Sequence, residues 1–290
     1  MREFKISHPD KILIQAAGIT KRDIMEYYKA VELPLLNYVK GRALAYKRYP
    51  HGFPGVNFFQ RNMPKFAPEW ITHQLLGLKK KADYIIAANI ETILWLVNIC
   101  ALEFHTTQTK VPHLMNPDML VLDLDPPHKS GDSIYENFKM ARDLALDIKP
   151  LIESMGYKTF VKTSGKKGVH IFCPVKPLYS YDEVFEAAKQ IGERIVSSFN
   201  NVTLKISKDE RIGKLLIDIY RNHTLQFTSM PYGLRATDTA NISMPVTWER
   251  LEHLDSPMEF TIKTVPAILE EEKDPWENIY DYQVDLHTKV

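Results

Sequence analysis

The sequence predicts a mixed α/β protein of the α+β kind, a sheet with helices packed on one side. Three observations lead there. Between residues 119 and 220 the hydrophobic pattern runs strand, helix, strand, strand, helix, strand, strand. The two helical stretches are amphipathic, each with one apolar face. The run "MLVLDLD" at 119–125 is apolar on both faces until Asp123 and Asp125, the pattern of a central strand covered on both sides.

The elements follow in order. "TKRDIMEYYKAV" predicts a helix with Thr20 as N-cap and Asp23 as a capping-box variant, and Ile24, Tyr27, Tyr28 and Val31 share one face. Pro34 is expected to kink or end it. "ALAYKRY" reads as a strand, followed by a Gly/Pro turn region and a short aromatic strand, and "LLGLKKKADYII" as two strands joined by a basic turn. "YIIAANIETILWLVNICALEF" is the most apolar segment, but Asn89, Glu91 and Asn98 would be costly in lipid. It is read as a buried strand end followed by a core helix.

Beyond the 119–125 strand, Ser133 with Glu136 starts a helix whose apolar positions are Phe138, Ala141, Ala145, Ile148 and Ile152, and Gly156 closes it. "YKTFVKTSGKKGVHIFCPV" predicts two strands around a Gly-Lys-Lys-Gly turn. "EVFEAAKQIGERIV" predicts a helix with Val184, Ala188, Ile191 and Ile195 inward, and "TLKISK" and "KLLIDIY" two further short strands. No internal repeat or long linker divides the 290 residues, which read as one domain. Its halves are expected at about 1–115 and 116–250, with a C-terminal extension at 251–290.

Composition narrows the function classes. Hydrophobic content of 44% supports an ordinary core, and 37 Lys and Arg against 36 Asp and Glu leave a net charge of +1, so any nucleic-acid footprint must be local. Cys100 and Cys173 lie far apart, and "MREFKISHPDK" lacks the apolar core of a secretory signal. A reducing, cytoplasmic location is the expectation.

Three constellations could carry chemistry. Asp123 and Asp125 project to the same side of their strand, with ends about 7 Å apart and no obvious local cation. Something positive must sit between them, or one must hold a proton. A third carboxylate, Asp218, lies inside the apolar strand "KLLIDIY". If the two strands are neighbours, Asp123, Asp125 and Asp218 form a cluster of hard oxygen donors suited to magnesium or manganese, and two such ions serve phosphoryl or nucleotidyl transfer. The alternative is that each acid is salt-bridged or caps a turn.

"KTSGKKGVH" at 162–170 offers backbone amides at Ser164, Gly165 and Gly168, charge from Lys166 and Lys167, and His170 on the next strand. By itself it reads as a plain hairpin turn; close after a carboxylate pair it reads as a triphosphate cradle. "KRYPHGFPGVNFFQR" interleaves Lys47, Arg48 and Arg61 with Tyr49, Phe53, Phe58 and Phe59, a combination used on single strands and ends, although most of these rings are expected in the core. Lys79, Lys80 and Lys81 read as a solvated turn, and His105 in "ALEFHTTQTK", taken alone, as a core histidine.

"VLDLDP", "TSGKKGVHIFCP" and "LLIDIYRN", in this order, resemble the three motifs of the archaeo-eukaryotic primase superfamily, and in particular the polymerase domain of ligase D from prokaryotic non-homologous end joining. "ITKRDIMEYYKAV", "KGRALAYKRYP", "FFQRN", "ALEFH" and "MPYGLRA…ISMPVTW" are similar to that domain too, so the resemblance runs from about Asp10 to Trp248. It implies a primase-polymerase fold, with an RRM-like catalytic sheet carrying helices and an N-terminal α/β half that binds DNA ends. It also implies a polymerase that fills gaps at double-strand breaks, prefers ribonucleotides and works with Ku; since the sequence shows no sign of the ligase and nuclease domains that often accompany this domain, a stand-alone polymerase beside a separate ATP-dependent DNA ligase is the expectation.

By the same resemblance, Asp123, Asp125 and Asp218 would be catalytic and hold two divalent ions, Mn2+ or Mg2+. Ser164, Lys167, His170 and Arg211 would grip the triphosphate. Lys47, His105 and Arg235 would complete the nucleotide pocket, which moves His105 out of the core reading. Phe58 and Phe59 would stack near the templating base, and Lys11 and Lys21 would bind the 5′-phosphate across a gap. The chain departs from the family's pattern at Arg221, where Gln is common, at Gly233, where Ser is usual, and at His8, often Asn.

Two other readings compete. A haloacid-dehalogenase-type phosphatase also opens on an apolar strand ending in Asp-x-Asp, with the first acid as nucleophile. It would want Thr or Val at Pro127 and an acidic pair on a later strand, which "LLIDIY" lacks. A non-catalytic end-binding module would use Lys11, Lys21 and the aromatic segment to hold broken DNA. It has no use for strand carboxylates facing a polyanion, which weaken binding unless a metal neutralises them.

Overall fold

The strand and helix order expected between residues 119 and 220 is the one observed. The computed structural model describes residues 4–77, 81–127, 133–207, 209–211 and 213–286. The chain divides into two compact units. Met1–Pro112, Phe227–Ser243 and Met258–Asp274 build the first, and His113–Gln226, Met244–Pro257 and Pro275–Val290 the second. Among the described residues no helix is long and apolar enough to cross a membrane.

The second unit is organised by a six-stranded sheet. Its spatial order is Val202–Thr203, Leu215–Asp218, Met119–Asp125, Val169–Pro174, Phe160–Thr163 and Pro245–Val246. All neighbours are antiparallel except the first pair. Met119–Asp125 is central, and Met119 to Leu122 and Leu124 are fully buried, as its unbroken apolar run requires. Helices Ile134–Ser154 and Tyr181–Ser198 pack on the sheet and against each other. Each begins where a serine hydroxyl accepts from a first-turn amide, Ser133 from Tyr135 and Ser180 from Glu183, the latter with its reciprocal Glu183 bond. Val184, Ala188, Ile191 and Ile195 face inward as predicted.

"TLKISK" contributes less strand than expected: Val202–Thr203 pairs, and the chain then leaves the sheet. Thr203 Oγ1 accepts from the Lys205 amide at 3.1 Å, a local turn that takes the backbone away from the ladder.

The first unit carries a four-stranded antiparallel sheet in the order Thr228–Ser229, Ala101–Thr106, Leu44–Arg48 and Phe58–Gln60. Helix Lys21–Ala30 has the Thr20/Asp23 capping box that the sequence predicts. Pro34 does not break that helix. The chain has already turned at Val31, and Pro34 sits in the first turn of a second helix, Glu32–Val39, where a missing N–H has no intrahelical partner to lose. Ile90–Asn98 is the expected core helix, capped by the Asn89 side chain accepting from the Thr92 amide at 3.0 Å. His73–Leu76 and Ala82–Ile85 pair antiparallel; Lys79 and Lys80 of the expected basic turn lie outside the described residues.

One side chain ties the second unit's central strand to the turn after Asp218. Leu215–Asp218 pairs with Met119–Asp125 only as far as Asp218 opposite Asp123, so the Val121 backbone lies beyond the ladder. Asn222, 1% exposed, replaces the missing strand. Its Oδ1 accepts from the Val121 amide at 2.8 Å, and its Nδ2 donates to the carbonyls of Val121 and Ile219, each at 2.7 Å. Asn222→Ala orphans both Val121 groups and is expected to cost about 2–4 kcal/mol, read as a lowered urea midpoint at unchanged slope.

Candidate active site

Strand register assembles the site. Asp123 stands opposite Asp218 on one side and His170 on the other, and His170 stands opposite Lys162. Directly opposed residues project to one face, so Lys162, His170, Asp123 and Asp218 form a polar row across four strands. Asp125, two residues beyond Asp123, shares that face. Lys162 is fully buried and His170 4% exposed, so the row is largely desolvated.

Two facing carboxylates repel, and the structure surrounds them with Arg and Lys cations and one imidazole. Arg221 Nε lies 3.2 Å from Asp123 Oδ2 and 3.1 Å from Asp218 Oδ2. His170 Nε2 is 3.2 Å from Asp123 Oδ1. Lys167 Nζ and Arg211 Nη1 approach the two oxygens of Asp125 at 3.5 and 3.6 Å. Burial pushes the Asp123 carboxyl up to about 6, with Asp218 and Asp125 pushing the same way and Arg221 and Lys162 opposing. Burial works against the Arg221 charge, but Asp123 and Asp218 outweigh it and hold the guanidinium above the ordinary arginine range. The sequence required either a cation among the acids or a proton on one of them; the fold supplies the cation and makes the proton easier to keep.

The glycine-lysine hairpin is built to lie against the acid strand. Ser164 Oγ accepts from the amides of Lys166 and Gly168 at 3.2 and 3.0 Å, and Gly165 takes φ of +71°. A Cβ on Gly168 would stand 2.8 Å from the Leu124 carbonyl oxygen, so only glycine allows this approach. Lys167 Nζ donates to the Pro126 carbonyl at 2.8 Å, which holds its charge beside Asp125. Arg211 Nη1 is buried and makes no hydrogen bond among the described residues.

Among the described residues no three carboxylate, imidazole or thiol groups converge as a ready metal cage. The carboxylate oxygens are turned onto Arg221, His170, Lys167 and Arg211. The donor set still fits a hard divalent ion: three carboxylates share one face, and two of them are cross-strand neighbours.

Lys47, His105, Arg235, Phe58, Phe59, Lys11 and Lys21 belong to the first unit. Lys47 stands opposite Phe59 on one neighbouring strand and Glu103 on the other, and His105 is two residues beyond Glu103, so these four share a sheet face. Glu103 is 3% exposed, accepts from the Ala236 amide at 3.0 Å and lies 3.7 Å from Arg235 Nε. The His105 ring meets Phe59 edge-on at 5.6 Å. Tyr49 is buried, but Phe58 and Phe59 are exposed, with the Arg48 and Arg61 guanidinium groups 5.2 and 5.6 Å from their rings. Lys11 Nζ donates to the Pro50 carbonyl. Lys21 is 2% exposed; its ammonium donates to the carbonyls of Ser7 and Asn98, and burial lowers its pKa.

Lys162, Glu103 and Asn222 are not evident as site residues from the sequence, and Arg221 stands out there only as a departure from the family's pattern. Lys162 and Glu103 did carry a signal, each a charged residue directly after two apolar residues of its strand. The cross-strand partners that give them meaning come only from register.

A carboxyl whose pKa is raised on folding binds its proton more tightly folded than unfolded. The stabilisation that Asp123 lends the metal-free protein is therefore complete below the unfolded value of about 4 and lost as pH rises through about 6. Between pH 4.5 and 7 the urea midpoint of the unmutated protein is expected to fall relative to that of Asp123→Asn; parallel profiles would contradict it.

Comparison with known proteins places this geometry. The family model described as the LigD primase-polymerase domain matches residues 20–276. The chain is 30% identical over 290 residues to the bifunctional non-homologous end joining protein LigD of Bacillus subtilis, aligning 97% of this chain with 46% of that protein. It is 27% identical to the multifunctional LigD of Pseudomonas aeruginosa, aligning 94% of this chain with 32% of that protein. The chain thus spans less than half the length of these relatives. Among solved structures, the polymerase domain of Mycobacterium tuberculosis ligase D in complex with DNA superposes with a TM-score of 0.86 at 26% identity, covering 98% of this chain and all of that one. On sequence and fold together, the chain belongs to the LigD primase-polymerase domain family.

Proposed function

We propose that the chain is a template-directed nucleotidyltransferase that extends a primer 3′-hydroxyl across gaps at DNA double-strand breaks. The observation that carries this reading is the row of strand acids, Asp123 facing Asp218 with Asp125 on the same face, bordered by Lys167, His170 and Arg211. Carboxylates alone repel a polyanion, and cations alone would only bind it. The mixture suits a site that takes a triphosphate together with Mn2+ or Mg2+. The family relation and the DNA complex of the solved relative support the substrate class.

In this reading Asp123, Asp125 and Asp218 hold two divalent ions, which when bound supply the charge that acidifies the attacking hydroxyl and neutralises the leaving pyrophosphate. The chain's own residues do the rest. Lys167, Arg211 and His170 bind and orient the triphosphate, and Ser164 shapes the turn that carries Lys167. Phe58 and Phe59 present exposed rings for stacking on the template, and Lys47, His105 and Arg235 bind the nucleotide. Lys11 and Lys21 recognise the downstream 5′-phosphate. The same proposal includes a preference for ribonucleotides and work alongside Ku and an ATP-dependent ligase at the nucleoid, for which the family relation is the support.

The test is extension of a labelled primer across a short gap, with Mn2+ or Mg2+ and with ribo- or deoxynucleotides. Metal-dependent addition is expected, stronger with ribonucleotides, and reduced by about 10²–10³-fold or more in Asp123→Ala while end binding persists. Undiminished synthesis by that variant refutes the assignment, and tight end binding with no synthesis by the unmutated protein points to the binding module. Gapped DNA with a 5′-phosphate is expected to bind more tightly than DNA without one, and Lys11→Ala to narrow the difference. Equal affinity in the unmutated protein removes the phosphate-binding role. Lys11 is the residue to change, because Lys21 is buried and its replacement would disturb the fold.

A further inference from the structure

Arg221 stands three residues after Asp218, on the short turn that follows that strand. Its Nε is within 3.2 Å of Asp123 Oδ2 and 3.1 Å of Asp218 Oδ2, so a single nitrogen serves one oxygen of each acid. Any cation shared by the two carboxylates competes for the same lone pairs. Among the described residues, Asp218 makes its ion pair with Arg221.

We infer that Arg221 is the chain's own counter-cation for the Asp123–Asp218 pair, one that a divalent ion must displace, so that Arg221 sets the metal concentration at which the site loads. The inference rests on the proposed reading of these acids as metal ligands. Two features make the guanidinium replaceable. Asn222, the next residue, is bonded through its side chain to Val121 and Ile219, so the turn is anchored independently of the ion pair. The Arg221 side chain is 36% exposed and has water to move into, whereas the Asp123 and Asp218 side chains are 16% and 13% exposed and stay where the strands put them.

Metal-free Arg221→Gln leaves two facing carboxylates without the cation they share, so it is less stable than the unmutated protein, yet it offers a divalent ion the Oδ2 atoms of Asp123 and Asp218 free of that competitor. Affinity for metal and stability without metal therefore change in opposite directions, a pattern that loss of folding alone does not produce.

The experiment titrates Mn2+ alone into chelator-treated protein and reads free Mn2+ by its electron paramagnetic resonance signal, with thermal melts at each metal concentration. Four chains are compared: unmutated, Arg221→Gln, Arg221→Lys and Asp218→Asn. Arg221→Gln is expected to bind Mn2+ about tenfold or more tightly than the unmutated chain, to melt lower without metal and to gain more from it. Arg221→Lys, which keeps the charge without the rigid fork, falls between. If Asp218→Asn weakens Mn2+ binding but Arg221→Gln binds no more tightly than the unmutated chain, the counter-cation inference is wrong and the metal reading survives. If no chain binds Mn2+ in a way that depends on Asp218, the metal reading fails and takes the inference with it. Should Arg221→Gln not fold without metal, the comparison of Arg221→Lys with the unmutated chain decides.

Discussion

The second unit depends on one electrostatic constraint: two carboxylates face each other across an antiparallel pair, on a largely desolvated surface. The pairing of Leu215–Asp218 with the central strand puts Asp218 opposite Asp123 and leaves no freedom to separate them, since a shift of one residue would turn buried Leu215 and Ile217 to the other face. Apolar packing therefore enforces a juxtaposition that charge opposes. The surrounding cations follow from that conflict. Lys167 and the His170 ring come from the hairpin at 162–170, and Arg211 and Arg221 from two other places in the sequence; together they converge on three acids.

The same constraint explains the supporting parts. Asn222 substitutes for a strand at Val121 and thereby fixes the turn that carries Arg221. Gly168 lets the hairpin touch the acid strand at the Leu124 carbonyl and so brings Lys167 within 3.5 Å of Asp125. Lys162, buried at the far end of the polar row, acts on Asp123 across the His170 strand and helps offset the burial that raises its pKa. Each holds a charge in place rather than adding apolar contact.

In the first unit, burial separates residues of like composition. Tyr49 lies in the core while Phe58 and Phe59, within the same basic-aromatic run, remain exposed on the last strand of their sheet. Lys21 is enclosed by carbonyl oxygens, and Lys11 is bonded to a carbonyl at its own part of the surface. A buried ammonium with oxygen partners keeps a defined position, which a solvated lysine does not.

The sequence by itself determined most of the local structure, because helix caps and hydrophobic periodicity act over a few residues. Thr20 with Asp23, Ser180 with Glu183 and the inward stripe Val184, Ala188, Ile191 and Ile195 are written in consecutive turns. The three acids and the glycine-lysine turn were legible as candidates, since charge inside an apolar strand is costly wherever it occurs. Tertiary structure alone decided what those charges meet. That Asp218 faces Asp123, that Arg221 bridges them, that Lys162 and Glu103 take part, and that Lys21 is buried all depend on strand register and packing between segments far apart in the chain. Such pairings leave no periodicity in the sequence, because it is the summed burial of whole elements, and not any local preference, that selects which residues come to face one another.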